Sequence, residues 1–239
     1  MRIQINFHPK GKLILPHSYQ HILQGFFYSL MGREEAKDIH DASSFKFFCY
    51  SMIEGRFQLD REKHMISFSG PCRICFSSID NEMVLRMVFL LGKKEHPMFH
   101  GQEIIIDDIS FIEAPKVQQE VYRIHTLSPI SIHQTVVLPE KKKTLYFSPE
   151  DDDFEPLLKK NFLRKYESYY GKSLGEEVLF GIQPANEPRL ANIRYKDFTI
   201  IGYLGDFYLK CNKEHLGFLF DVGLGDRNSF GFGMFEVLS

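Results

Sequence analysis

The sequence predicts an α+β chain of two tandem ferredoxin-like βαββαβ domains, over residues 1–117 and 118–239, with a glycine-rich loop before its end. Three observations carry this. Apolar periodicity switches between strand and helix spacing in the order strand–helix–strand–strand–helix–strand. A looser copy of that order begins again near Gln119, which sets a boundary near Pro115 to Gln119. A length of 239 residues fits one large domain or two small ones.

Taken in order, Arg2 to Phe7 is a strand in which Ile3, Ile5 and Phe7 alternate with polar residues. His17 to Met31 is a helix, with Ile22, Leu23, Phe26, Phe27 and Leu30 at helical spacing. Phe45 to Ile53 and Met65 to Phe76 are strands and connections broken by Gly55 and by Gly70–Pro71. Asn81 to Leu91 is helical and Glu103 to Ile112 closes the first unit as a strand. In the second unit, Val121 to Thr126 is a strand and Phe154 to Tyr170 a helix rich in Lys and Tyr. Arg189 to Tyr195 and Phe198 to Lys210 form a strand pair turning near Lys196–Asp197. Lys213 to Phe220 is a short helix whose aromatic content a strand would also accept, and Phe232 to Leu238 is the last strand.

Composition narrows the class of protein. A hydrophobic fraction of 44% is ordinary for a globular chain. No apolar run approaches the roughly 20 residues of a membrane helix. Met1 to Phe7 lacks the basic flank and apolar stretch of a signal peptide, so a cytoplasmic location is expected. Four cysteines are too few for a disulfide scaffold, and the lone Cys72–Cys75 pair has no second pair to complete a zinc site. Those two read as small strand residues after a Gly70–Pro71 turn. Neither a cofactor nor a metal is expected.

The net charge of −2 does not advertise nucleic-acid binding, but basic residues are segregated. They gather at Lys141 to Lys143, at Lys159, Lys160, Arg164 and Lys165, and at Arg189, Arg194 and Lys196, apart from the acidic run Glu150 to Asp153. A four-stranded α+β sheet commonly binds single-stranded RNA through exposed aromatics, in the RNA-recognition-motif manner. No such aromatic motif stands out here, so most of the 23 Phe are assigned to the core.

The most specific signal is Gly223-Leu-Gly-Asp-Arg-Asn-Ser-Phe-Gly-Phe-Gly233, four glycines in eleven residues. Gly223, Gly225, Gly231 and Gly233 permit positive φ and close approach of main-chain N–H groups to an anion, a nest for phosphate. Arg227 in its middle adds a charged fork. No Gly-Lys-Ser/Thr follows, as a P-loop needs, and the segment leads into a strand rather than opening a helix, which excludes a dinucleotide fingerprint. Other histidines lack catalytic context: His96 and His100 are separated by Pro97, and His17 and His21 sit near the first helix's start.

A C-terminal GhGxxxxxGhG loop in a tandem ferredoxin-like chain resembles the repeat-associated CRISPR protein superfamily. Three further stretches resemble its CRISPR-associated protein six family: Leu23-Gln-Gly-Phe-Phe-Tyr28, then Ile39-His-Asp41 with Lys46-Phe-Phe-Cys-Tyr-Ser51, then Thr126-Leu-Ser-Pro-Ile130. The resemblance runs from the first strand to the last residues in the same order. It implies an endoribonuclease that cleaves CRISPR repeat RNA without a metal, by attack of a 2′-hydroxyl on the adjacent phosphorus.

That reaction needs a base for the 2′-OH proton, an acid for the departing 5′-oxygen and positive charge on the phosphorus oxygens. By resemblance His40 is the proton-transfer residue, Lys46 supplies the charge and Tyr28 orients or helps deprotonate the 2′-OH. Which of His40 and Tyr28 is acid and which is base stays open. The glycine loop with Arg227, and Lys159, Lys160, Arg164, Arg189, Arg194 and Lys196, are the candidate RNA contacts. The resemblance implies repeat RNA as partner, with other subunits of a CRISPR surveillance complex or a second copy of the chain beside it, and no membrane. A non-catalytic RNA-binding subunit of such a complex is the competing reading.

Overall fold

The computed structural model describes residues 1–31, 45–116, 118–137, 139, 142–175, 177–195 and 197–238. In the N-terminal half, β1 (Arg2–Pro9) and β2 (Lys12–Pro16) lead into helix α1 (Gln20–Met31). Then follow β3 (Phe48–Tyr50), β4 (Glu54–Asp60), β5 (Met65–Ser78), α2 (Asn81–Gly92), β6 (Met98–Phe99) and β7 (Gln102–Ile112). The spine of the sheet is β2-β5-β1-β7-β6, with β3 and β4 also paired to β5. Register follows the alternation in β1: Ile3, Ile5 and Phe7 all face the core and are about 1% exposed. Helices α1 and α2 close this core with Leu23, Phe27, Leu30, Val84 and Met87.

The C-terminal half runs β8 (Val121–Thr126), β9 (His133–Val137), β10 (Lys142–Tyr146), α3 (Phe154–Tyr170), β11 (Phe180–Pro184), β12 (Arg189–Tyr195) and β13 (Phe198–Leu204). It ends with β14 (Asp206–Cys211), α4 (Lys213–Val222), a 3₁₀ turn (Asn228–Phe230) and β15 (Phe235–Val237). Its main sheet has the order β11-β14-β8-β15, while β9–β10 and β12–β13 are separate hairpins. Asn212 caps α4, its side chain accepting from the His215 N–H.

Both halves are therefore mixed α+β, as expected, with the helix at 154–170 placed as read. Several strands differ from the reading. The span from Phe198 to Lys210 is two strands: Gly205, at φ 153°, ends β13, and β14 crosses into the main sheet. Arg189 to Tyr195 pairs with β13 as expected, while β14 pairs with β8 and with β11, whose five residues are too short for periodicity to reveal. The Gly70–Pro71 step is no turn. It lies inside β5, opposite a register shift between Gly55 and Arg56 in β4. Cys72 and Cys75 do lie on a strand, β5.

The two halves are joined through buried polar contacts. Arg2 is 2% exposed; its guanidinium donates to the Phe235 carbonyl at 2.6 Å and to the Phe220 carbonyl, and lies 3.3 Å from the Phe220 ring centre. Burying a guanidinium demands such acceptors. No helix among the described residues is long and apolar enough to cross a membrane.

Candidate active site

The glycine loop folds back between the halves after α4. All four glycines have positive φ, between 65° and 83°, and two show why a side chain cannot replace them. A Cβ on Gly233 would collide with the Leu224 carbonyl, and one on Gly231 would lie 2.5 Å from the buried Tyr50 ring. The loop's amides are largely spent inside the protein. Leu224 N–H donates to Gly233, Asp226 to Ser131, Gly231 to Asn228 and Gly233 to Pro129, at 2.7–3.0 Å. Two of these bonds close the loop on itself and two tie it to Ser131 and Pro129, so these four amides are not aimed outward as a nest.

A lysine holds the turn from behind. Lys165 of α3 is 3% exposed, and its Nζ donates to the Gly223 carbonyl at 3.0 Å, the Gly225 carbonyl at 2.7 Å and Asn228 Oδ1 at 2.5 Å. Burial pushes its pKa down to about 8, against the raising influence of Asp226 and Cys49. The sequence groups Lys165 with the solvated cluster of α3, but it follows Leu158 and Phe162 on the buried face at helical spacing.

In front of the turn lies a cavity of about 220 Å³, lined by Phe45, Lys46 and Phe47 from the N-terminal half. The C-terminal half contributes His133, Asn161, Lys165 and the loop from Gly225 to Phe230. Asp226 is fixed by Asn161 Nδ2 at 2.7 Å and by the His133 backbone N–H at 3.1 Å. His133 Nδ1 sits 2.7 Å from the same carboxylate oxygen, out of line for a good hydrogen bond. Its Nε2 is 3.4 Å from the Arg227 guanidinium. Arg227 holds a left-handed φ of 62°, and its guanidinium lies 5.8 Å from the Phe230 ring centre and 6.0 Å from that of Phe198. Among the described lining residues, Lys46, Lys165 and Arg227 face one carboxylate, Asp226, so the cavity is locally cationic on a chain of net charge −2.

Lys46, Gly225 and Arg227 are thus brought to one cavity. Arg164 stands at its edge, 5.8 Å from the Phe45 ring centre. Tyr28 lies across the 3₁₀ turn, on the helix whose Gln24 donates to the Ser229 carbonyl at 2.6 Å. Its ring stands edge-on to Phe48, and its hydroxyl is buried without a hydrogen-bond partner. Burial, then Tyr195, pushes its pKa up to about 12. Lys159 and Lys160 lie on α3, the latter exposed, and Arg189 and Arg194 are exposed on β12, away from the cavity. His40 and Lys196 lie outside the described residues. His133 and Asn161 carry no motif that would have marked them, and Asp226, although inside the glycine motif, was given no role there.

Comparison with known proteins gives this geometry a context. The family described as "CRISPR associated protein Cas6, C-terminal" matches residues 112–237, more than half of the chain. A curated relative, "CRISPR-associated endoribonuclease Cas6 1" of Methanocaldococcus jannaschii, is 24% identical over 98% of this chain and 91% of its own. "CRISPR-associated endoribonuclease Cas6" of Pyrococcus furiosus is 26% identical over 99% of this chain and 90% of its own. A solved structure titled "Characterization of a Cas6-related gene from Pyrococcus furiosus" superposes with a TM-score of 0.87 at 23% identity, covering 100% of this chain and 98% of that one. Another, "An RAMP protein binding different RNA substrates", gives 0.85 at 21% identity with both chains fully covered. On the match across its C-terminal half and the shared fold, the chain belongs to the Cas6 family.

Proposed function

We propose that this protein is a metal-independent endoribonuclease that cuts CRISPR repeat RNA in the precursor transcript and yields mature guide RNAs. The observation that carries the reading is the meeting of Lys46 and Arg227, from opposite halves, in one cationic cavity beneath the glycine loop. The names of the curated relatives point to the same activity. We read each half as a ferredoxin-like domain, divided near residue 117, so the cavity is a cleft between domains.

The 2′-oxygen attacks the adjacent phosphorus as its proton passes to a base. The P–O5′ bond breaks and the 5′-oxygen gains a proton. The products are a 2′,3′-cyclic phosphate and a 5′-hydroxyl. Lys46 and Arg227 stabilise the charge that builds on the non-bridging oxygens. A phenol pushed up to about 12 stays protonated near neutral pH, so Tyr28 suits donating a hydrogen bond or a proton. That leaves His40 as the group to accept the 2′-OH proton. Arg164, Lys159 and Lys160 on α3, and Arg189, Arg194 and Lys196 around the β12–β13 hairpin, grip backbone phosphates and so set affinity more than sequence.

The test is incubation of the purified protein with repeat RNA in excess EDTA. A single cut, abolished by a 2′-deoxy nucleotide just upstream of the scissile phosphate, is the expected result. Binding without cutting would instead make the protein a non-catalytic repeat-RNA subunit of a surveillance complex, and no binding would refute both readings.

A further inference from the structure

A second pocket, of about 510 Å³, opens at the start of α1, outside the Lys46–Arg227 cavity. Pro16, His17, Ser18, His21, His64 and Arg194 line it. Three distant segments are tied together there. The His17 backbone N–H donates to the His64 carbonyl at 2.8 Å, and the Arg194 backbone N–H donates to Ser18 Oγ at 3.1 Å. The β2–α1 junction, the β4–β5 turn and β12 therefore meet in fixed register. His64 is held at a left-handed φ of 53°, a conformation that needs such support. The His21 ring meets Tyr195 of β12 edge-on, with centroids 6.3 Å apart.

Its lining is rich in donors: three imidazoles and a guanidinium, with no carboxylate among the described lining residues. The β4–β5 turn also carries Arg61, Glu62 and Lys63, of which Lys63 pairs with Asp60 at 3.7 Å, and the β12–β13 turn carries Asp197. None of these lines the pocket. No three His, Cys, Asp or Glu side chains among the described residues are grouped to hold a metal ion, so the histidines do not form a cation site. Imidazole N–H donors gathered beside a guanidinium make a site for an anion.

Its place on α1 says which anion. His21, Gly25 and Tyr28 fall at i, i+4 and i+7, one stripe of the helix. At 1.5 Å per residue, His21 and Tyr28 stand about 10 Å apart along the axis. Between them Gly25 has nothing within 4 Å of where a Cβ would sit, which leaves the stripe low and open. A strand lying along this stripe would run from the histidine pocket toward the Tyr28 end of the helix.

We propose that His17, His21, His64 and Arg194 form a phosphate-binding site for the repeat RNA, gripping a backbone phosphate away from the scissile one. This rests on the endoribonuclease reading above. The experiment uses the full chain and repeat RNA made uncleavable by a 2′-deoxy nucleotide, with affinity measured by anisotropy against salt at pH 6. A His21→Ala/His64→Asn variant should bind about 5- to 30-fold more weakly, the factor that about 1–2 kcal/mol produces. Its slope of log affinity on log salt should be shallower by about 0.7 per lost phosphate contact. Arg194→Gln, on the opposite wall, should reproduce the weaker affinity with its far-ultraviolet circular dichroism unchanged. Wild-type affinity and slope in both variants at pH 6 would overturn this site while leaving the endoribonuclease reading in place. A wild-type protein that binds no repeat RNA would overturn both.

Discussion

Replacing Lys165 by methionine should disable the glycine loop without touching its sequence. Three acceptors would lose their donor: the carbonyls of Gly223 and Gly225 and the side chain of Asn228. Hydrogen bonds from a charged donor contribute about 1.5–3 kcal/mol each, so about 5–9 kcal/mol of interaction disappears. Against that stands the cost of burying the ammonium, several kcal/mol for a buried ion, and the fall of its pKa from 10.5 to about 8 shows that cost acting. The net loss is about 2–6 kcal/mol, a large share of a domain's stability. Urea denaturation of wild type and Lys165→Met should give midpoints separated accordingly. Repeat-RNA cleavage should fall steeply even where the variant remains folded, because the turn that presents Arg227 is no longer pinned. Lys165→Arg should not rescue, since a guanidinium does not fit a site sized for one ammonium. A methionine variant within about 0.5 kcal/mol of wild type and equally active would refute the role given to this lysine.

Lys165 also sets a pH dependence. Its folded-state pKa lies below its unfolded value, so between about pH 8 and 10.5 the unfolded chain holds a proton that the folded chain has released. This group's contribution to stability should therefore rise with pH across that window, and the rise should be missing from denaturation of Lys165→Met. Gly231→Leu should cost about 2–4 kcal/mol in thermal or chemical unfolding, because a Cβ there meets the buried Tyr50 ring at 2.5 Å from a left-handed backbone. His40→Ala should slow single-turnover cleavage by about 10²- to 10⁴-fold and Lys46→Ala by about 10²- to 10³-fold, with repeat-RNA affinity nearly unchanged. Cutting at the wild-type rate would remove either residue from the mechanism.

Long periodic segments were legible in the sequence. The α3 helix keeps its apolar stripe for 17 residues, and β1 alternates cleanly because one face is core. Short strands were not legible: β11 has five residues, and its place is decided by β14 across the sheet rather than by its own pattern. The glycine motif was readable as a special backbone, but its use was not. Whether an amide faces outward or bonds to Ser131 or Pro129 depends on residues about a hundred positions away. Lys46 was found through resemblance and Arg227 through its place in the glycine motif, and the fold places both on the cavity. His133 and Asp226 were missed because each is unremarkable until the β9 strand meets the loop. Lys165 left a trace, its register with Leu158 and Phe162, that its neighbours' charges concealed.

The side chain of Arg2 has consequences for how the chain is made. Its acceptors are carbonyls of Phe220 and Phe235, the farther of them 233 residues downstream. At about 5–20 residues per second, a ribosome delivers those carbonyls some 10–50 seconds after the arginine has been added. Until then the Arg2 side chain lacks both of the carbonyls that hold it in the folded protein. Closure of β1 against the C-terminal half therefore waits on synthesis of β15, the strand that carries Phe235.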